Sequence, residues 1–295
     1  MDNSPNALKA IFFAARPKTW IAGISPVALG AALAYKAGPC DGLLLFYSLL
    51  FSLFVQIGTN FSNDYFDFLK GADTDKRLGP PRAAAMGWLA PKTVRNLSLL
   101  FFGAAFFVSL PLVLSCGIWS IIFVLSAIAF GILYTGGARP LGYLGLGELL
   151  VFPYFGPVAT LGTYYVQRQE ISLEPLILSF SPGFFACAIL VANNLRDEYT
   201  DRDANKNTLV VRFGKTFGKL EYVFFLVAAL LSPLAFGYGA GLLFLIPASL
   251  MLRSVFSYQD PKHIATLLPQ TALLMIAFTA LFIYETTFSS PFFLH

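Results

Sequence analysis

Runs of about 20 mostly apolar positions alternate with short polar breaks along the chain. Nine of them fall at roughly 19–36, 43–62, 95–114, 117–135, 146–166, 175–195, 220–237, 240–256 and 266–286. Runs of this length and polarity predict helices that cross the hydrocarbon layer of a bilayer. Only Gly237, Tyr238 and Gly239 separate the seventh from the eighth, so a single bent hairpin also fits there. An odd number of crossings places the two termini on opposite sides. Composition sharpens this picture: of 295 residues 57% are hydrophobic and 12% charged, with 31 Phe. That is more apolar surface than one water-exposed globule can hide, which excludes soluble and disordered chains. The expected fold is an all-α integral membrane protein, residues 1–295 forming one transmembrane domain of about nine helices with two aspartate-rich cytoplasmic loops.

Charge orients the bundle. With nine crossings, 18 of the 20 Lys and Arg residues fall on the N-terminal side and only Lys36 and Arg168 on the other. Basic loops stay in the cytoplasm, so the N-terminus and both long polar segments are expected there, in the cytoplasmic membrane of a bacterium. A net charge of +4 spread over loops is too small for a nucleic-acid groove. Cys40, Cys116 and Cys187 stand far apart, His263 and His295 are the only histidines, and no zinc, haem or iron–sulfur spacing occurs. No small-residue cleavage site follows an apolar core near the N-terminus, so no removable signal peptide is expected.

The two polar segments, roughly 60–94 and 193–219, carry Asp64, Asp67, Asp73, Asp75, Asp197, Glu198, Asp201 and Asp203, half of all the acids. On a helix Asn60, Asp64 and Asp67 share one face, as do Asn193, Asp197 and Asp201. An Asn-x-x-x-Asp element, Asn63 to Asp67 and Asn193 to Asp197, hints at a parallel repeat. Carboxylates on the last turn of a membrane helix face the negative end of its dipole and call for a cation. Hard oxygen donors without Cys or His suit Mg²⁺, which keeps waters and shares positions with phosphates. Interleaved with them stand Lys70, Lys76, Arg77, Arg82, Arg196, Arg202, Lys206 and Arg212. Acids and bases together suit a metal-bridged diphosphate, the alternative being solvated charges placed by membrane topology alone.

The first motif reads Asn63-Asp64-Tyr65-Phe66-Asp67, then Gly71-Ala72-Asp73-Thr74-Asp75 and Gly79-Pro80-Pro81-Arg82. The second reads Asn193-Asn194-Leu195-Arg196-Asp197-Glu198-Tyr199-Thr200-Asp201-Arg202, followed by Lys206 and Thr208-Leu209. Over nearly the whole chain these motifs resemble the UbiA-type intramembrane prenyltransferases. A third stretch, Tyr134-Thr135-Gly136-Gly137-Ala138-Arg139-Pro140-Leu141-Gly142-Tyr143-Leu144-Gly145-Leu146-Gly147-Glu148, looks like the branch that prenylates 1,4-dihydroxy-2-naphthoate on the way to menaquinone. The resemblance implies transfer of a polyprenyl group from its diphosphate to a bicyclic aromatic acceptor, with loss of CO₂ and diphosphate. It implies Asp64, Asp67, Asp197 and Asp201 as catalytic Mg²⁺ ligands. Asn63, Arg82, Arg139, Asn193, Asn194, Arg196, Arg202 and Lys206 are then the candidate substrate contacts. The chain departs from the branch pattern at Asn205, where Gly is common, and at Asn207, where Arg is common.

For the acceptor, Arg139 is the candidate partner of a carboxylate and Glu148 of a hydroxyl, against an interfacial charge and a helix-start acid. Tyr65, Tyr134 and Tyr199 are candidate pocket linings. Arg16-Pro17-Lys18-Thr19-Trp20 is expected to anchor the first span. Sister enzymes acting on 4-hydroxybenzoate or 1,4-dihydroxy-6-naphthoate remain open. A secondary transporter also uses repeats and intramembrane acids, but its acids belong near the midplane on broken helices.

Overall fold

The computed structural model describes residues 5–73, 78–257 and 264–288, and among these residues every regular element is helical. In chain order these are α1 (Ala7–Ala15), α2 (Trp20–Ala37), α3 (Gly42–Leu69), α4 (Pro91–Cys116) and α5 (Ile121–Leu133). They continue as α6 (Gly147–Pro153), α7 (Ala159–Arg168), α8 (Leu173–Leu178), α9 (Phe180–Asp203) and α10 (Leu209–Leu231). The chain closes with α11 (Ala240–Leu243), α12 (Leu245–Ser257) and α13 (Leu267–Phe288). Seven helical units are long and apolar enough to cross a membrane: Ala7–Ala37, Gly42–Leu69, Pro91–Cys116, Gly147–Arg168, Leu173–Asp203, Leu209–Phe236 and Leu267–Phe288. Ile118–Leu133 and Leu245–Ser257, the expected fourth and eighth spans, are apolar but shorter. Asp75, Lys76, Arg77, Lys262 and both histidines lie outside the described residues.

Three boundaries differ from those expected, all for one reason. Hydropathy marks where side chains stop being apolar, whereas a helix ends where its backbone bonding ends. The second span therefore runs past residue 62 to Leu69, the sixth past residue 195 to Asp203, and the seventh begins at Leu209 with a break at Gly214. A short helix that hydropathy had not marked, α1, precedes the first span. Arg16 turns left-handed between them (φ 52°), and the Trp20 indole and the Asn60 amide both donate to the Ala15 carbonyl.

Close crossings hold the bundle. Helix α2 meets α7 at Gly30, where an added Cβ would stand 2.3 Å from the Thr160 carbonyl oxygen. Between the expected seventh and eighth spans the chain turns through Ser232–Phe236, and Gly241 sits so close that a Cβ would lie 1.7 Å from the Leu230 carbonyl oxygen. At this end of the bundle the Tyr238 hydroxyl and the Lys36 ammonium both reach Glu174, at 2.5 and 3.0 Å. Arg168 donates to the Pro39 carbonyl here as well, so the two cations that stood apart in the charge sorting share one end.

At the opposite end α3 and α9 stop with the same turn. In α9 the Asn205 N–H donates to the Arg202 carbonyl and the Lys206 N–H to the Asp201 carbonyl. In α3 the Gly71 N–H donates to Phe68 and the Ala72 N–H to Asp67. Both are Schellman ends, with Gly71 and Asn205 in the left-handed position (φ 65° and 56°). Asn is the residue that best replaces Gly there, which accounts for the departure at Asn205. The shared turn also resets the repeat: Asp67 corresponds to Asp201 and Asn63 to Asp197, a register four residues from the Asn-to-Asn one.

Two outcomes follow for detergent-solubilised protein melted by intrinsic fluorescence. Gly30→Ala is expected to cost about 1–3 kcal/mol as α2 and α7 are forced apart, while Gly103→Ala, with open space around it, should not lower the melting temperature. Asn205→Ala should cost about 1 kcal/mol and Asn205→Gly only a few tenths. Equal melting of the two Asn205 variants would mean that the left-handed turn is not maintained.

Candidate functional site

The two helix ends converge on the connection between α5 and α6, residues 134–146. Tyr143, in the middle of it, is buried, and its hydroxyl donates to Asp67 Oδ1 at 2.9 Å. Arg82 Nη2 donates to the other oxygen, Asp67 Oδ2, at 2.9 Å, and its Nε lies 3.5 Å from Asp73. From the second motif Lys206 Nζ comes to 3.4 Å of Asp201 Oδ1 and 5.8 Å of the Tyr143 ring centroid. Lys70 Nζ stands at the same 5.8 Å from that ring and donates to the Thr135 carbonyl. The Asn207 N–H donates to the Tyr143 carbonyl, and Arg212 to that of Leu144. Burial, followed by the nearby carboxylates of Asp67, Asp73 and Asp201, pushes the Tyr143 hydroxyl far above the ordinary phenol range. It therefore remains a donor at any working pH.

Among the expected ligands, Asp67 and Asp201 face this centre. Asp197 lies one turn before Asp201 and takes both Arg196 nitrogens, at 2.7 and 2.5 Å. The two oxygens of Asp64 accept the Ala83 and Ala84 N–H groups at 2.9 and 3.2 Å, which pins the segment carrying Arg82. Arg16 lies within electrostatic reach of Asp64. Asn63 accepts from the Thr135 hydroxyl, fastening the α5–α6 connection to α3. Asn194 donates to Glu148 at 3.1 Å in a buried pair between α9 and α6, and Asn193 is half-buried on the same helix. Arg202 pairs with Glu198 at 2.8 Å but keeps 57% of its side chain exposed, at the rim. Arg139 is exposed on the turn. Tyr199 is exposed, with Lys215 over its ring.

Sequence reasoning passed over Tyr143 and gave Lys70 and Asp73 no individual role. Tyr143 stood inside the third signature, but the spacing of that signature does not distinguish it from its neighbours.

Among the described residues no three acidic side chains converge as a ready-made metal cage. The donor chemistry nevertheless fits a hydrated Mg²⁺ that a diphosphate completes. Asp201 Oδ2 is buried without a hydrogen-bond partner among the described residues, and so is Arg82 Nη1. One is an acceptor without a donor and the other a donor without an acceptor.

Residues 24–265 match the model of the UbiA prenyltransferase family. The chain is 33% identical to the 1,4-dihydroxy-2-naphthoate octaprenyltransferase of Haemophilus influenzae, over 93% of this chain and 94% of that one. It is 38% identical to the enzyme of the same name from Mycobacterium tuberculosis, over 70% and 71% of the two chains. In fold it resembles a solved digeranylgeranylglyceryl phosphate synthase, with a TM-score of 0.63 at 18% identity over 95% of this chain and 99% of that one. It also resembles a UbiA homolog from Archaeoglobus fulgidus bound to DMAPP and Mg²⁺, with a TM-score of 0.60 at 14% identity over 93% and 99%. With seven membrane-length helices, a family match over most of its length and relatives aligned nearly end to end, the chain belongs to the UbiA prenyltransferase family and is an integral membrane prenyltransferase.

Proposed function

We propose that this enzyme transfers a polyprenyl group from polyprenyl diphosphate to 1,4-dihydroxy-2-naphthoate, with Mg²⁺ on the diphosphate, in the step that leads toward menaquinone. The observation that carries the reading is the convergence of Asp67, Asp201, Arg82 and Lys206 on Tyr143 at one end of an apolar bundle. The names of the relatives support the acceptor, and the DMAPP and Mg²⁺ of the archaeal homolog support the donor class and the ion.

In this reading residues 1–295 form one domain, and all nine apolar units cross. Ile118–Leu133 spans about 24 Å, and α11 with α12 about 27 Å, near enough to the hydrocarbon thickness for modest adaptation. The basic asymmetry then puts the N-terminus and the aspartate end in the bacterial cytoplasm.

Breaking the allylic carbon–oxygen bond moves negative charge onto the departing diphosphate and positive charge onto carbon. Arg82, with Nη1 unused, and Lys206 are placed to hold that negative charge, with Arg196 and Arg202 on the last turns of α9 as further donors. Bound Mg²⁺ would neutralise the diphosphate charge against Asp67, Asp197 and Asp201. Asp64 serves by holding residues 83–84, and with them Arg82; Asn63 does so by holding Thr135. The acceptor's ring carbon forms the new bond and releases its carboxylate as CO₂. The electron pair of the broken bond restores the aromatic ring, so no oxidant is needed. Arg139 pairs the acceptor's carboxylate and Glu148, steadied by Asn194, orients a hydroxyl. Apolar walls keep water from the allylic cation.

Purified protein in nanodiscs with labelled donor and Mg²⁺, offered 1,4-dihydroxy-2-naphthoate, 1,4-dihydroxy-6-naphthoate and 4-hydroxybenzoate, tests the acceptor by product mass. The expected product is the adduct of the first, lighter by CO₂; preference for either of the others overturns the assignment. Asp201→Asn should lower the turnover of the folded protein at least tenfold, roughly 1.4 kcal/mol of transition-state stabilisation. Near-normal turnover at limiting Mg²⁺ would remove Asp201 from the site. Arg139→Gln should raise the acceptor KM by about tenfold and leave the donor KM unchanged; equal shifts in both would return Arg139 to an interfacial role.

A further inference from the structure

Tyr143 touches both aspartate-bearing helix ends yet belongs to neither. Its hydroxyl meets Asp67 of the first motif, Lys206 of the second lies over its ring, and its carbonyl receives the Asn207 N–H just beyond. Its own backbone is fixed independently: the Gly142 N–H donates to the Tyr134 carbonyl, and Arg212 holds Leu144. A carboxylate can rotate about its last bond, and one donor leaves that freedom in place. Asp67 has two, Arg82 on one oxygen and Tyr143 on the other, at 2.9 Å each. Each oxygen retains a further lone pair for a ligand. The two ammonium groups over the ring would repel one another in open solution, and the aromatic face offsets that by attracting both.

We propose that Tyr143 is a positioning residue for prenyl transfer, orienting the Asp67 carboxylate toward the diphosphate-bound ion while its ring keeps Lys70 and Lys206 beside the site. This rests on the reading of Asp67 as an ion ligand. Hydrogen-bond partners of ligating groups set metal affinity by orientation, and their loss commonly weakens it about 10–100-fold.

The test uses full-length protein in nanodiscs and Mn²⁺ as the probe, its binding followed by paramagnetic resonance and paired with Mg²⁺ titration of turnover. Tyr143→Phe keeps the ring and removes only the hydroxyl. The half-saturating Mn²⁺ concentration should rise about tenfold, with kcat at saturating Mg²⁺ within about threefold of the original. Partial misfolding lowers the amount of Mn²⁺ bound but not the midpoint, so a purely structural role would leave the midpoint where it was. Asp67→Asn separates the two levels of the proposal. If it loses Mn²⁺ binding while Tyr143→Phe binds normally, Tyr143 has no positioning role. If Asp67→Asn itself binds Mn²⁺ normally, the ion-ligand reading fails and takes the Tyr143 proposal with it.

Discussion

Asp67 and Asp201 each occupy the third residue from the end of a long helix, where the backbone dipole is negative and the surroundings are apolar. Neither carboxylate is tolerable there alone, and bringing the two helix ends together compounds the cost. Much of the surrounding structure follows from that constraint. Arg82 returns from the α3–α4 connection to pair with Asp67, Asp64 holds the same connection by two backbone amides, and Lys206 is turned back onto Asp201 by the Schellman end. The α5–α6 connection contributes Tyr143 and is stitched to both ends. Removing one member of such a buried set leaves a charge uncompensated, which typically costs 3–5 kcal/mol.

The all-helical membrane fold was legible because apolar runs recur along the chain, and seven of the nine expected spans are helices long enough to cross. The limits of the helices were not, because Asp67 and Asp201 are polar residues inside helices and no scale of apolarity extends a span through them. The aspartates of both motifs were legible from their spacing, but their division of labour was not. Spacing says that Asp64 and Asp67 lie near one face. It does not say that Ala83 and Ala84, about 20 residues on, take both Asp64 oxygens. Tyr143 was invisible for the same reason: its importance comes from two long-range contacts, and a sequence window contains neither. Asn205 shows the reverse case, a departure from the branch pattern that one dihedral angle explains.

The common turn at the ends of α3 and α9 bears on how the site arose. Asp67 and Asp201 hold matching places, each followed four residues later by a left-handed Gly71 or Asn205. In that register Asp64 corresponds to Glu198, and both are buried acids that organise nearby chain: Asp64 through two amides, Glu198 through Arg202 and Lys215. Each half thus supplies one acid facing the centre and one acid fastening its own end. A parallel repeat of helix ends yields two such sets facing a shared volume, which suits a ligand with two phosphoryl groups better than one with a single charge.

The two ends of the bundle differ in how completely their polar groups are satisfied. At the far end Lys36, Tyr238 and Glu174 bond to one another, and Glu285 accepts the Gly239 and Ala240 N–H groups with both of its oxygens. At the aspartate end, Asp201 Oδ2 and Arg82 Nη1 are buried without hydrogen-bond partners among the described residues. A buried polar atom left unsatisfied costs about 1–3 kcal/mol, more for a charged group. One is an acceptor and the other a donor, each on a charged group that is already paired once, Asp201 by Lys206 and Arg82 by Asp67. In the proposed reading a metal-bound diphosphate would meet both, its cation at Asp201 and its phosphoryl oxygen at Arg82. Arg168 Nε at the far end is also without a hydrogen-bond partner among the described residues; what sets the aspartate end apart is that an acceptor and a donor are left unpartnered together, as the proposed ligand would require.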